Sequence, residues 1–171
     1  MMNLFKNYLL IGGMPAAVNT FLATNNIVKV REVHSNIHEL YGIDAAKYDK
    51  ENKLKIQRIY SLLPSFLENK KKRVVIKDID NQKGKRYDNY RDEFDYLIQA
   101  GIALEVKAIS NPTFPLIESA GKNLLKLFFN DIGLLTNILY KNNITAILNE
   151  ENSINLGSVY ESVVAQELRA H

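Results

Sequence analysis

The residues that most often bind metals or attack substrates are scarce in this chain. Its 171 residues include no cysteine and three histidines, His34, His38 and His171. Without cysteine, disulfides, thiolate nucleophiles and thiolate zinc sites are all excluded. His34 and His38 lie four residues apart, a zinc-ligand spacing on a helix, but no glutamate follows His34 as a metalloprotease motif requires. We therefore expect a partly exposed helix face at these two histidines, and no metal site.

Positive charge is the second chemical signal, and it is concentrated in one segment. The net charge is +3, yet residues 53–91 contain twelve of the 22 Lys and Arg residues and four of the 19 acidic residues. That segment therefore carries +8 and the remaining residues −5. A basic block on an otherwise acidic protein is typical of a surface that faces phosphates. A solvated, lysine-rich loop is the alternative interpretation.

The elements around the basic block predict a winged helix-turn-helix. Apolar periodicity and turn residues indicate helices, a short fifth element, a longer helix stopped by Gly101, and two strands. The predicted bounds are 1–10, 15–24, 27–48 and 53–63 for the first four helices, 76–81 for the short element, 87–100 for the longer helix, and 102–109 and 123–129 for the strands. Helix, short helix, longer helix and hairpin follow in the order of that fold.

The longer helix would be the DNA-reading helix of this fold, with its N-terminal end nearest the bases. That end carries the polar and basic residues that we predict to contact DNA: Lys83, Lys85, Arg86, Asn89 and Arg91. The acidic residues lie toward the other end, so the charge gradient favours DNA binding. The tyrosines match the inward-facing stripe and are expected in the core. The alternative is a protein-docking or lid module that never contacts DNA.

The last fifteen residues predict an amphipathic helix. Val159, Tyr160, Val163, Val164 and Leu168 recur at the spacing that places them on one helix face. Such a face needs a partner, and we expect that partner to lie outside this sequence, which we interpret as a piece of a larger protein. No apolar run reaches the roughly 18 residues that span a bilayer. The absence of cysteine fits a cytoplasmic location.

Several short sequence strings occur together in one order. They are Tyr8 to Pro15 (YLLIGGMP), Tyr41 to Tyr48 (YGIDAAKY), Leu63 to Ser65, Ala100 to Ile102, Pro115 to Leu116, Lys126 to Leu135 (KLFFNDIGLL), and Gly157, Glu161 and Val164 to Leu168 at the end. In this order they resemble the C-terminal region of a bacterial and archaeal family of predicted AAA+ ATPases. That family has an N-terminal P-loop module followed by a domain of unknown function, which contains a winged helix and then a restriction-endonuclease-like fold. The resemblance covers nearly the whole chain.

The resemblance implies roles for particular residues. No P-loop motif occurs in this sequence, so ATP and Mg²⁺ would be bound by the parent's own ATPase module, and this chain would hold no cofactor. Gly12, Gly13, Met14 and Pro15 resemble the glycine-proline element of a lid that contacts the nucleotide; an ordinary corner between two helices is the alternative. Glu161 resembles the first acid of an endonuclease-like site whose other ligands are not in this sequence, so no catalytic site is expected here.

These inferences give one prediction for the whole chain. We expect a mainly α protein with a small β wing: a helical lid-like segment at 1–48, a winged helix-turn-helix at 49–130, and helices at 131–171 that lead into a truncated endonuclease-like domain. The expected function is a non-catalytic DNA-binding module coupled to nucleotide state in the parent. The expected partners are duplex DNA and the chain's own ATPase module, with no membrane. The alternatives are a protein-interaction or homo-oligomerisation domain, and a piece of a nuclease.

Overall fold

The computed structural model of the protein describes residues 2–48, 53–68, 74–79, 84–109, 113–114, 120–141, 143–149 and 154–171. It is mainly helical with one small antiparallel sheet of two strands, which confirms the coarse fold prediction. No helix among these residues is long and apolar enough to cross a bilayer.

Nine α-helices and two strands are labelled here in chain order within the described ranges. They are α1 (Met2–Ile11), α2 (Pro15–Thr24), α3 (Ile27–Tyr48), α4 (Lys53–Glu68), α5 (Ile76–Ile79), α6 (Arg91–Gln99), β1 (Ala103–Ile109), β2 (Ala120–Phe129), α7 (Ile132–Tyr140), α8 (Ile144–Asn149) and α9 (Gly157–Ala170). A 3₁₀ turn, Tyr87–Tyr90, leads directly into α6.

The chain forms two compact units. Unit 1 combines Met1–Asp44 with Phe129–His171, and unit 2 is Ala45–Phe128. Residues 131–171, which the sequence predicted to lead into a further domain, therefore pack with the N-terminal helices. The predicted wing strand β2 ends at the boundary between the units.

Local signals set the helix ends in both units. At the end of α2, Asn25 adopts a left-handed conformation (φ 48°), and its N–H donates to the Phe21 carbonyl. The Asn26 side-chain oxygen then accepts from the Val28 N–H and caps α3. Gly101, at φ +68°, ends α6 in the position predicted for it.

The fourth helix does not stop at Pro64 as predicted. α4 continues through this proline to Glu68. A proline inside a helix costs about 3 kcal/mol, because one backbone hydrogen bond is lost and its ring crowds the preceding turn. Beyond it, Phe66 and Leu67 are both 1% exposed. Burying two such side chains contributes roughly 1.5–3 kcal/mol each, which offsets the proline.

The core of unit 1 lies among α1, α7, α8 and α9. Its fully buried side chains include Leu9, Leu10, Ile132, Leu135 and Ile147. α1 packs along α7 and α8, and α9 packs against α7. This arrangement places the end of α1 and the start of α7 beside each other in the interior.

The last helix has a partner within this unit, so the expectation that its apolar face needs a partner outside the sequence is wrong for part of that face. Ser158, Val159 and Ser162 are buried, and the Ser162 hydroxyl is satisfied by the Ser158 carbonyl at 2.8 Å. The Tyr160 ring lies 6.0 Å from the Phe5 ring of α1. The small side chains of Ser158 and Ser162 let α9 approach α7 closely. The apolar pattern of the sequence does not include these serines. Three apolar side chains of α9 stay exposed: Tyr160, Val164 and Leu168.

Unit 2 contains α4, α5, α6 and the β1–β2 hairpin. α4 packs against α5 and α6, and α6 packs against β1. Tyr90, Phe94 and Leu97 are buried, as the stripe of the longer helix predicted. The Tyr87 ring stacks on Phe94 at 5.0 Å between centroids. These tyrosines therefore belong to the packing of unit 2.

Candidate functional site

The turn between α1 and α2 is built from Gly12 and Gly13. Gly12 is buried and has φ +70°, a conformation that suits glycine because it has no Cβ. Pro15 begins α2 at a position where its missing N–H costs nothing. The sequence predicted this corner, and the structure shows what it packs against: the carboxylate of Asp131, from the start of α7.

Asp131 joins this turn to the start of α7. One of its oxygens accepts from the Gly13 N–H at 2.6 Å, and the other accepts from the Leu134 N–H at 3.0 Å. The backbone N–H groups of Met14 and Gly133 also bond to the carboxylate. Burial raises the pKa of Asp131, and the four N–H donors oppose that shift. One buried side chain thus caps a helix and fixes a turn that lies 118 positions away in the sequence.

His34 holds the other side of the same turn. It is completely buried on α3, and its Nε2 lies 3.0 Å from the carbonyl oxygen of Ile11, at the end of α1. A carbonyl can only accept, so Nε2 carries the proton and Nδ1 does not. Burial, with a smaller contribution from the positive charge of Arg31, lowers the pKa of His34 to about 4. The prediction of a partly exposed helix face is therefore wrong at His34, which is completely buried.

His38 repeats this arrangement one turn further along α3. It is half-buried, and its Nε2 lies 3.1 Å from the Leu134 carbonyl oxygen. Burial lowers its pKa, and this hydrogen bond opposes the shift. Both histidines thus bind backbone carbonyls, and in the described ranges no three metal-binding side chains lie close enough to hold an ion.

Arg31 is a charged side chain that lies almost completely buried in unit 1. It is 6% exposed, and its Nη1 donates to Thr136 Oγ1 at 3.0 Å and to the Gly133 carbonyl at 3.3 Å. Its Nε and Nη2 make no hydrogen bond, and Nδ1 of His34 is also without a partner. Burial lowers the pKa of Arg31 to about 10, so the guanidinium is still charged at pH 7. No carboxylate in the described part of the chain forms an ion pair with it.

These contacts limit what the glycine-proline turn can bind. A glycine-rich turn usually recognises a phosphate through its backbone N–H groups. Here the N–H groups of Gly13 and Met14 are already bound to a carboxylate. The parts of the turn that face outward are Gly13, Pro15 and half of Met14. In this conformation the Gly13 and Met14 N–H groups face the Asp131 carboxylate and are not available to a phosphate.

Four of the five predicted DNA-binding residues are described, and they lie just before or at the start of α6 in unit 2. Lys85 and Arg86 are exposed, and Lys83 lies outside the described residues. Asn89 is partly used for structure, because its side-chain oxygen accepts from the Arg86 N–H at 2.8 Å. Arg91 forms an exposed ion pair with Asp88 at 2.7 Å. The structure therefore brings Lys85, Arg86 and Arg91 to one end of the helix, with Arg91 partly neutralised.

Glu161, the predicted first acid of an endonuclease-like site, is half-buried in α9. The described residues include no group of three metal-binding side chains that contains it. What the sequence missed was the set formed by Asp131, Arg31 and Thr136. Asp131 could have been recognised as a helix cap from its position before an apolar helix. Its second partner is distant in sequence and has no local signal.

Comparison with models of known protein families gives a match. The chain matches the family described as "Domain of unknown function (DUF8612)" over residues 2–161. That range includes the glycine-proline turn, Asp131, the α3 residues Arg31, His34 and His38, and the basic start of α6. No curated protein and no solved structure matches the chain. The chain belongs to the DUF8612 family.

Proposed function

We propose that this chain is a non-catalytic module of an AAA+ ATPase, in which unit 2 binds duplex DNA and unit 1 contacts the nucleotide-binding part. The observation that supports DNA binding is the exposed pair Lys85 and Arg86 at the start of α6, in a unit whose elements follow the winged-helix order. The end of a helix that reads DNA lies closest to the duplex in such folds. Lysine and arginine there contact phosphates and add affinity for any DNA sequence.

The glycine-proline turn supports the second half of the proposal. Its outward surface is formed by Gly13, Met14 and Pro15, and it is fixed from inside by Asp131 and His34. An apolar turn of this kind, in its closed arrangement, can pack on the base of a nucleotide that another module holds by its phosphates. ATP and Mg²⁺ would then belong to that module, which agrees with the absence of a P-loop in this sequence.

A protein-docking role is the second candidate, and one observation favours it. Beyond its basic start, α6 lines an open cavity of about 570 Å³ with Asp92, Asp95, Tyr96, Gln99 and Ala100. Such an acidic surface repels DNA and suits a basic protein segment. The acidic residues begin in the first turn of α6, directly after Arg91, so the two candidate surfaces adjoin. They differ in the sign of their charge and therefore respond differently to substitutions.

DNA binding is tested by its dependence on salt. A surface that neutralises four or five phosphates should give a plot of log K against log salt with a slope near −4, because about 0.9 counterions are released per phosphate. Replacing Lys85, Arg86 and Arg91 together with alanine should reduce the magnitude of that slope by about 3. Fluorescence anisotropy with a labelled duplex between low and moderate salt measures both slopes.

Lys141→Ala is the matched control, since Lys141 is exposed and lies in unit 1, at the end of α7. It should leave the slope unchanged. Circular dichroism should show that all variants remain folded. If no binding occurs at low salt, or if the triple variant keeps the full slope, the DNA proposal fails. In that case an effect of Asp92→Asn and Asp95→Asn on partner binding would support the docking function instead.

A further inference from the structure

The α2–α3 hairpin, meaning Pro15–Thr24 and the part of α3 from Ile27 to Asp44, holds together through an apolar cluster that is separate from the main core and that Ile11 of α1 completes. Ala17 of α2 and Val30 of α3 are fully buried in it, together with Ile11 at the end of α1. The partly buried side chains that complete this cluster are Met14, Val18, Phe21, Ile27 and Val33. The main core of unit 1 is formed separately by α1, α7, α8 and α9. Regions with their own apolar cluster often open as a unit.

Polar contacts attach this hairpin to α7 and to the end of α1. They are the bonds from Gly13 N to Asp131, from Arg31 to Thr136 and Gly133, from His34 to Ile11, from His38 to Leu134, and from Asn137 to Ser35. Water can replace a hydrogen bond at a small net cost, about 1 kcal/mol, whereas it cannot replace apolar packing. Apolar contacts across the interface include Ile11 with the cluster and the His38 ring with Phe129. Because the other contacts named here are polar, the hairpin separates from α7 more readily than it would across a purely apolar interface.

Buried groups without partners make the closed arrangement less favourable still. Nε and Nη2 of Arg31 and Nδ1 of His34 are dry and make no hydrogen bond. A charged guanidinium in this state has lost its hydration without gaining a counter-ion. If α3 moved away from α7, water would reach all of these nitrogens. The free energy difference between the closed and open arrangements is therefore smaller than the number of contacts implies.

We propose that the α2–α3 hairpin opens as a unit about Gly12 and Gly13, and that the Asp131 carboxylate is the latch that keeps it closed. The latch is the strongest of the polar contacts, because it is charged and joins the N–H groups of Gly13 and Met14, where the hairpin begins, to those at the start of α7. The proposal does not depend on DNA or nucleotide binding.

The hairpin and its latch lie next to the two chain segments that join unit 1 to unit 2. α3 continues past Asp44, where unit 1 ends, to Tyr48. β2, the other connection between the units, ends two residues before Asp131. The hairpin therefore continues into one chain connection between the units, and its latch lies two residues from the other. A ligand that binds only the open hairpin would increase the population of the open arrangement, and with it any change in conformation at those connections.

Hydrogen exchange of the full 171-residue chain, followed by mass spectrometry at pH 7, tests the proposal. In the wild-type protein, peptides from α2 and from residues 27–41 of α3 should exchange at least about 10-fold faster than peptides from α1 and α7. Asp131→Ser should increase exchange of the hairpin peptides by a further 10- to 100-fold, roughly the value of one charge-assisted bond. Serine still caps α7 but is too short to reach Gly13, so α7 and α8 should be unaffected.

Arg31→Met provides the test with the opposite sign. This substitution removes the buried charge that gains hydration on opening, so exchange of the hairpin peptides should become slower. A residue that merely supported the packing would make exchange faster when replaced. Thr24→Ala is the control, because its hydroxyl bonds only within α2, to the Thr20 carbonyl, and it should change little.

Two results would overturn the proposal. One is equal exchange of the hairpin and of α1 and α7 in the wild-type protein, which would show that unit 1 opens as a whole. The other is faster hairpin exchange in Arg31→Met. Both measurements remain decisive if Asp131→Ser does not fold.

Discussion

Replacing Gly12 with alanine should destabilise this protein by about 4 kcal/mol. Two effects add: an alanine at φ +70° costs about 1–2 kcal/mol, and overpacking a buried site costs about 1–3 kcal/mol. The new Cβ would contact both carboxylate oxygens of Asp131 and lie 2.7 Å from its Cγ. The carboxylate would have to leave the N–H groups that it binds. Urea unfolding followed by circular dichroism measures the loss.

Two other glycines separate these effects. Gly101 has the same backbone conformation, at φ +68°, but open space around its Cα, so Gly101→Ala should cost only the conformational part. Gly13 lies beside Gly12, and its added Cβ would be 3.8 Å from Asp131, an ordinary contact. Gly13→Ala should therefore be nearly neutral. If Gly12→Ala lowers the free energy of unfolding by no more than Gly101→Ala does, then Asp131 does not pack closely on this turn.

Helix bounds were the part of the structure that the sequence predicted best, because their signals are local. The second and third helices begin and end where Pro15 and the following apolar pattern indicated, and Gly101 stops α6. Pro64 shows the limit of local rules. Its cost is offset by the burial of Phe66 and Leu67, which depends on helices distant in sequence. The sequence immediately around Pro64 does not predict the burial of these two side chains.

The candidate site was predicted less completely. Gly12 and Gly13 were recognised as a special turn, but the carboxylate that fixes them comes from residue 131. An aspartate before a helix predicts a cap and not a second partner. Arg31 and His34 are harder still, because arginine and histidine side chains are seldom completely buried. Their burial follows from how α3 packs on α7, and this packing has no signature in the sequence.

Acid should destabilise the folded protein through His34. Its pKa is about 4 in the folded state, against an ordinary value of 6.5. A histidine with a lowered folded-state pKa takes up its proton only on unfolding, so its contribution is complete above pH 6.5 and is lost as the pH falls toward 4. The difference of about 2.5 pH units corresponds to about 3 kcal/mol. The charged and titratable groups that act on it are Arg31 and His38 on α3.

His34→Gln separates this effect from the carboxylates and from His38, which titrate in both proteins. The glutamine side chain can also donate to a carbonyl but carries no titratable proton. The free energy of unfolding, measured by urea between pH 7 and 4, should decrease by about 3 kcal/mol more in the wild-type protein than in this variant. His171→Gln changes an exposed histidine and should follow the wild-type curve. If the free energy of unfolding changes equally with pH in the wild-type protein and in His34→Gln, then His34 is hydrated in the folded state. The end of α1, which His34 contacts, would then be hydrated as well.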